Sequence, residues 1–222
     1  MKREIQLEPY EARLLGVLIE KALTTPDGYP LTLNAAINAA NQKSNREPVL
    51  NLDEVEVAKA LAGLERKYLA RKVFPGNSRV EKYIHIGKEC LGLDALALAT
   101  LAELMMRGPQ TLGELRTHVG RMLAVESLDK MIEVLAPLIE NAYVERLPPS
   151  PGSRAERFAQ LLCPNLHPID MPSGAVEETA TVAGQSRLAT LTLRLDALEA
   201  EVKRLRQRLE ALEPPEPPEE PE

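Results

Sequence analysis

Apolar residues recur at helical spacing from the start of the chain. Leu14, Leu15, Leu18, Ile19 and Ala22 predict a helix opening near Pro9 and running to Leu23. TTPDGYP breaks it. LTLNAAINAANQ predicts a second, shorter helix starting near Thr32, with Leu33, Ile37 and Ala40 inward. KSNREPVLN is a polar loop. Asp53, with Glu56 three residues on, is the capping-box start of a third helix whose apolar face is Val57, Leu61, Leu64 and Tyr68. LARKVF and VEKYIHI, joined by PGNSR, then predict a β-hairpin.

That order, three helices and a hairpin, is the plan of a winged helix. It comes twice. LDALALATLAELMMRG, TLGELRTHVGRM and SLDKMIEVLAPLIENA predict three more helices, the last with Leu128, Ile132, Leu135 and Ile139 on one face and a kink at Pro137. YVERL, PPSPGSR and AERFAQLL predict a second hairpin. At an offset of 75 residues SRVEKY lies over SRAERF, Val57 over Ile132 and Leu64 over Ile139, as in an internal duplication.

Residues 164–186 hold no period and read as a linker. A heptad follows, with Leu188, Leu195, Val202 and Leu209 at a positions and Leu191, Leu198, Leu205 and Leu212 at d positions. The expectation is a parallel two-stranded coiled coil over 188–212, hence a homodimer, with folding back onto the same chain as the alternative. PPEPPEEPE, ending the chain, reads as a disordered acidic tail. The fold class expected is mainly α with small hairpin wings: two tandem winged-helix domains, 1–92 and 93–163, the linker 164–186, a coiled-coil helix 187–213 and the tail 214–222.

Aromatics are 3% of the 222 residues, with no Trp, so the core must be aliphatic and a base-stacking platform is disfavoured. No run is long and apolar enough to span a bilayer or to serve as a secretory leader, and two cysteines, Cys90 and Cys163, suit a reducing cytoplasm. The net charge of −6 is unevenly spread. Residues 1–93 carry 14 basic and 12 acidic groups, residues 94–164 carry 7 and 9, and residues 165–222 carry 6 and 12.

Catalytic chemistry has little to stand on. His85, His118 and His167 are scattered, with no metal-ligand spacing, and no phosphate loop, nucleophile elbow or carboxylate pair is present. The expectation is a non-enzymatic protein without a cofactor or metal. Gln42, Lys43, Ser44, Asn45 and Arg46 offer amide, hydroxyl and cationic donors for phosphates or base edges, and Lys72, Arg79 and Lys82 decorate the first wing. Two readings of the 42–46 run stand side by side: a nucleic-acid contact, or a turn whose polar groups serve the fold. The acidic start of the third helix, Asp53, Glu54 and Glu56, disfavours base readout.

The block TTPDGYPL through NQKSNREPVL, with GPQTLGELRTHV and PGSRAERFAQLL, resembles the YceH-like family of uncharacterised bacterial proteins over about residues 6–163. The resemblance implies tandem winged helices and carries no reaction, ligand or partner. Function is therefore expected to be double-stranded DNA binding or regulation, or, on the same scaffold, a protein–protein adaptor without DNA.

Overall fold

Two helices that leave no face in solvent organise the protein. The computed structural model describes residues 5–76, 80–149 and 154–167. α1 (Pro9–Thr24) is buried at every position from Glu11 to Glu20, and α5 (Ala95–Arg107) at every position from Ala97 to Met106. They pack on each other more extensively than any other pair of elements. Gly16 permits the approach: a Cβ there would lie 2.9 Å from Met106 Cγ and 3.2 Å from the Ala102 carbonyl oxygen. Burial of about ten residues on each helix, mostly Leu, Ala and Met, is the main stabilising contribution, at roughly 25 cal/mol per Å² of apolar surface.

Around this pair the same order of elements occurs twice. α2 (Leu33–Ala40), α3 (Glu54–Arg66), β1 (Ala70–Val73) and β2 (Lys82–His85) follow α1. After a short α4 (Gly87–Leu91), α6 (Leu112–Val119), α7 (Leu128–Glu140), β4 (Val144–Leu147) and β5 (Arg157–Gln160) follow α5. The protein is thus mainly helical, with seven α-helices and small antiparallel sheets among the described residues. Both repeats belong to one compact unit, Met1–Met171.

Caps set the helix starts. Asp53 accepts from the Glu56 N–H (2.8 Å) and Glu56 returns the bond to the Asp53 N–H (2.9 Å), the capping box expected from the sequence. Thr32 and Thr111 cap α2 and α6 in the same way, each accepting from the N–H three residues on.

The second hairpin gains a third strand that the sequence reading lacks. β3 (Gln110–Thr111) pairs with β5, giving the order β3-β5-β4, and in the first repeat Leu31 bridges Tyr83 at the equivalent place. Two residues and one residue are too short to show a period of two. α4 was missed for the same reason, at five residues.

The register of the repeat also changes. α3 and α7 superpose at an offset of 74, Glu54 on Leu128 and Arg66 on Glu140, while β2 and β5 keep 75. Val57 therefore matches buried Met131, not Ile132, and Leu64 matches Leu138, not Ile139. The inward face of α7 is Met131, Val134, Leu135 and Leu138, and Leu128 and Ile132 are exposed, 45% and 51%. Pro137 sits inside α7 on its exposed side, where its ring leaves the helix assignment continuous. Tyr68, placed on the apolar face of α3 by spacing, lies past the helix end at φ +60° and is 59% exposed; Ala142 takes the same conformation after α7 at φ +57°. α2 buries Ala36, Ala39 and Ala40, with Leu33 and Ile37 half-buried.

The linker beyond His167, the heptads of 188–212 and the tail 214–222 lie outside the described residues.

Candidate functional site

The polar run of residues 41–48 lies where the two repeats meet: Arg46 is buried, Asn41, Gln42 and Asn45 are half-buried, and Lys43, Ser44, Glu47 and Pro48 are exposed. Arg46 is 4% exposed. Its Nη2 donates to Glu20 Oε2 at 2.6 Å and Nη1 to Glu20 Oε1 at 3.3 Å, a two-pronged pair to the C-terminal part of α1. Nε and Nη2 also donate to the Ala39 carbonyl at the end of α2, at 3.1 and 3.0 Å. Gln42 Oε1 accepts from Arg46 Nη2 and from Lys21 Nζ. Asn41 closes the loop by exchanging two bonds with the Leu52 backbone, both 2.8 Å.

The same loop grips the second repeat. The Glu47 N–H donates to the Met106 carbonyl at 2.8 Å. Arg13, fully buried on α1, donates through Nη2 to the Glu47 and Pro48 carbonyls at 3.1 and 2.8 Å, and His167 Nε2 donates to the Glu47 carbonyl. Burial, and then the charge of Arg46, pull the Arg13 pKa down to about 10. Its Nε and Nη1 have no hydrogen-bond partner among the described residues.

On the other side, Asn45, at φ +60°, accepts through Oδ1 from Arg121 Nη1 at 2.6 Å. Arg121 follows α6 and belongs to a cluster around Glu103 of α5. Glu103 is 2% exposed, with His118 Nδ1, Arg107 Nε and Arg121 Nη2 at 3.5, 3.7 and 4.0 Å from its Oε1. Burial raises the Glu103 pKa against the opposing pull of Arg107 and Arg121. His118 Nδ1 donates to Gln110 Oε1, and burial, then Arg107 and Arg121, lower its pKa.

The outer surface of this seam is basic. Lys43 and Ser44 are exposed on the loop, Arg121, which meets Asn45, is exposed on the second repeat, and Lys21 and Arg107 are half-buried. Glu20 and Glu103 lie beneath, and Glu47 and Glu114 are the exposed carboxylates of the same stretch.

The sequence-derived candidates are thus divided. Lys43 and Ser44 face solvent. Gln42, Asn45 and Arg46 are bonded within the protein, which is the fold-serving reading of the run. In the first hairpin Lys72 pairs with Glu81 at 3.0 Å, and the Lys72 amine is lifted by that bond; Lys82 is half-exposed. Arg79 lies outside the described residues. Sequence reading missed Arg13, Glu20 and Glu103, which look like solvent-facing charges but are buried, and Arg121, which is exposed and joins the repeats through Asn45.

A different character marks the α3–hairpin face of the first repeat. Val55, Phe74 and Val80 are 74%, 56% and 55% exposed. A recess of about 450 Å³ opens there, lined by Leu33 and Val80 with Glu54 and Glu81. A larger groove of about 710 Å³, lined by Tyr10, Ala60, Lys59 and Arg66 among others, runs between the start of α1 and α3. Among the described residues no group of His, Cys, Asp and Glu is placed to hold a metal ion, and no helix is long and apolar enough to cross a membrane. Cys163 is buried, which pushes its thiol up; Cys90 is half-buried.

The three imidazoles give one expected result. Burial is the first cause lowering His85, His118 and His167. The unfolded chain, with His near pH 6.5, then binds more protons than the folded one once pH falls through that value. Stability contributed by keeping these rings neutral is present above about pH 6.5 and lost below it. Glu103 acts in the opposite sense, because its raised carboxyl takes up a proton in the folded state first. Urea midpoints are expected to fall between pH 7.5 and 5.5; a flat profile would show the rings are not held neutral.

Fold and site together define a mainly helical protein of two repeated helix–helix–helix–hairpin units, joined through α1, α5 and a polar loop. A family described as a protein of unknown function, DUF480, matches residues 7–154, and the chain belongs to it. A UPF0502 protein of Geotalea daltonii is 54% identical over 160 residues, 71% of this chain and 73% of its own. Similar proteins of the same designation occur in Hahella chejuensis (40% identical, 94% of this chain and 97% of its own) and Geobacter sulfurreducens (47%, 91% of each).

Proposed function

We propose that the protein is a non-enzymatic adaptor built on two tandem winged helices, and that it binds another protein through the α3–hairpin face of the first. The third strand of the second repeat, supplied just before α6, and the single Leu31–Tyr83 bridge just before α2 of the first support the winged-helix reading. The observation that carries the adaptor reading is the exposure of three apolar side chains of α3 and the hairpin, Val55, Phe74 and Val80, the last of which lines a recess edged by Glu54 and Glu81. The hairpin does carry exposed Arg71 and Lys72, the cations a phosphate backbone would need, but Lys72 is paired with Glu81 and the recess itself is edged by carboxylates. Exposed aromatic and aliphatic side chains instead fit a protein surface. Pairing of two chains through residues 188–212 belongs to the same proposal and would place two such faces in one assembly.

Duplex DNA is the second reading, favoured by exposed Lys43 with Arg116 and Arg121. Fluorescence anisotropy at ~50 mM salt, where phosphate contacts count most, separates the two. The expected result is no duplex binding. In pull-downs from nuclease-treated lysate, a partner should be retained by Lys43→Ala/Lys82→Ala and lost by Val55→Asp/Phe74→Ser. Duplex binding that weakens steeply with salt, or a partner released by nuclease, overturns the adaptor reading.

A further inference from the structure

We propose that the exposed stripe of α7 in the second repeat, built on Leu128, Ile132 and Ala136, is a docking surface for a partner segment whose apolar side chains are bordered on one side by lysine or arginine. α7 carries more apolar residues than its packing uses. Met131, Val134, Leu135 and Leu138 face the core, while Leu128 and Ile132 are 45% and 51% exposed, Ala136 is exposed and Ile139 is half-buried. At about 100° per residue Leu128, Ile132, Ala136 and Ile139 share one face, about 16 Å long. The scaffold does not require apolar side chains there. At the offset of 74 the same face of α3 holds Glu54, Ala58, Ala62 and Glu65.

Charge selects the occupant. Asp129, Glu133 and Glu140 fall together along the border of the stripe away from the core, and all three are exposed. The helix holds one cation, Lys130, which pairs with Glu133 at 2.8 Å from beyond that border. The matching positions of α3 are Val55, Lys59 and Arg66, so the two repeats offer unlike faces. An acidic border disfavours a phosphate backbone or an anionic lipid surface. It also disfavours a second copy, because an antiparallel two-fold contact through this stripe would lay the acidic borders against each other. An amphipathic helix with cations beside its apolar row satisfies both the stripe and its border. This surface belongs to a different repeat from the α3–hairpin face, and its partner is a different one.

Fluorescence anisotropy of a labelled peptide titrated with the full chain tests this. The peptide repeats the spacing of α7, with leucine at the places of Leu128, Ile132, Leu135 and Ile139, lysine at those of Asp129, Glu133 and Glu140, and alanine and glutamine elsewhere. It is expected to bind, and a control with glutamate in place of lysine to bind at least about tenfold more weakly. Leu128→Ser/Ile132→Ser should weaken the lysine peptide about tenfold. Asp129→Lys/Glu133→Lys should reverse the preference between the two peptides, which general adhesion to an acidic protein would not do. All four positions are exposed, and circular dichroism checks that the variants keep their helix content. Val55→Asp/Phe74→Ser, on the first repeat, should leave the affinity unchanged. No binding of the lysine peptide, equal binding of the two peptides, or loss only in Val55→Asp/Phe74→Ser would each overturn the proposal. So would a Leu128→Ser/Ile132→Ser chain that sediments lighter than its parent, since a second copy then covers the stripe.

Discussion

Arg46→Ala is expected to destabilise the protein by about 3–5 kcal/mol, the cost of stranding the other half of a buried ion pair. Glu20 would keep its carboxylate at 10% side-chain exposure with only Lys21, at 3.5 Å, still near. The Ala39 carbonyl would lose both of its guanidinium donors. Arg46→Lys keeps the charge and loses the fork, so its cost should fall between. Joint replacement by Glu20→Leu and Arg46→Met removes both charges at once and should recover much of the loss. Lys43→Ala, three residues away and exposed, should stay within about 0.5 kcal/mol. Urea unfolding of the four variants reads all of this. If Arg46→Ala costs no more than Lys43→Ala, the guanidinium is not inside and the seam is wrongly built.

That contrast shows where the sequence is readable. Asp53 and Glu56 announce α3 because a capping box is local, complete within four residues. Arg46 and Glu20 are 26 residues apart, and nothing near either says that they meet. A polar run such as Gln42 to Arg46 reads as surface because charged side chains rarely enter an interior unpaired. Here the partners of Arg46, Glu20 on α1 and the Ala39 carbonyl at the end of α2, come together only in the folded chain. Distant packing also hides Glu11, Arg13 and Glu20 on α1 and Glu103 on α5, all of which break an otherwise apolar helix and look like its wet side. Gly63 records one such accommodation: a Cβ there would collide with the Glu11 carboxylate, which instead pairs with Lys67. The one-residue slip in α7 has a comparable origin. Two apolar sets, Leu128–Ile132–Leu135–Ile139 and Met131–Val134–Leu135–Leu138, both fit helical spacing, and packing on α5 and α6 selects the second. The first set is left partly exposed.

Gly16→Val should destabilise the protein by roughly 1–3 kcal/mol, although valine is the better helix former. The position is central in α1, and the obstacle is the partner helix. Met106 Cγ, 2.9 Å from the added Cβ, can swing away. The Ala102 carbonyl oxygen, at 3.2 Å, belongs to the α5 backbone and cannot move without shifting the helix. Valine adds two further methyl groups to that contact, so α1 and α5 must separate along a seam that is fully buried on both sides. Dense packing leaves no void to absorb the change. Gly113 supplies the control. It lies in α6, is exposed, and a Cβ there would meet nothing within 4 Å. Gly113→Ala should therefore stabilise by about 0.4–1 kcal/mol through the lost freedom of the unfolded chain. Opposite signs for the two glycines in thermal or urea unfolding are the expected result. A stabilised Gly16→Val would mean that α1 and α5 do not approach as closely as their buried faces require.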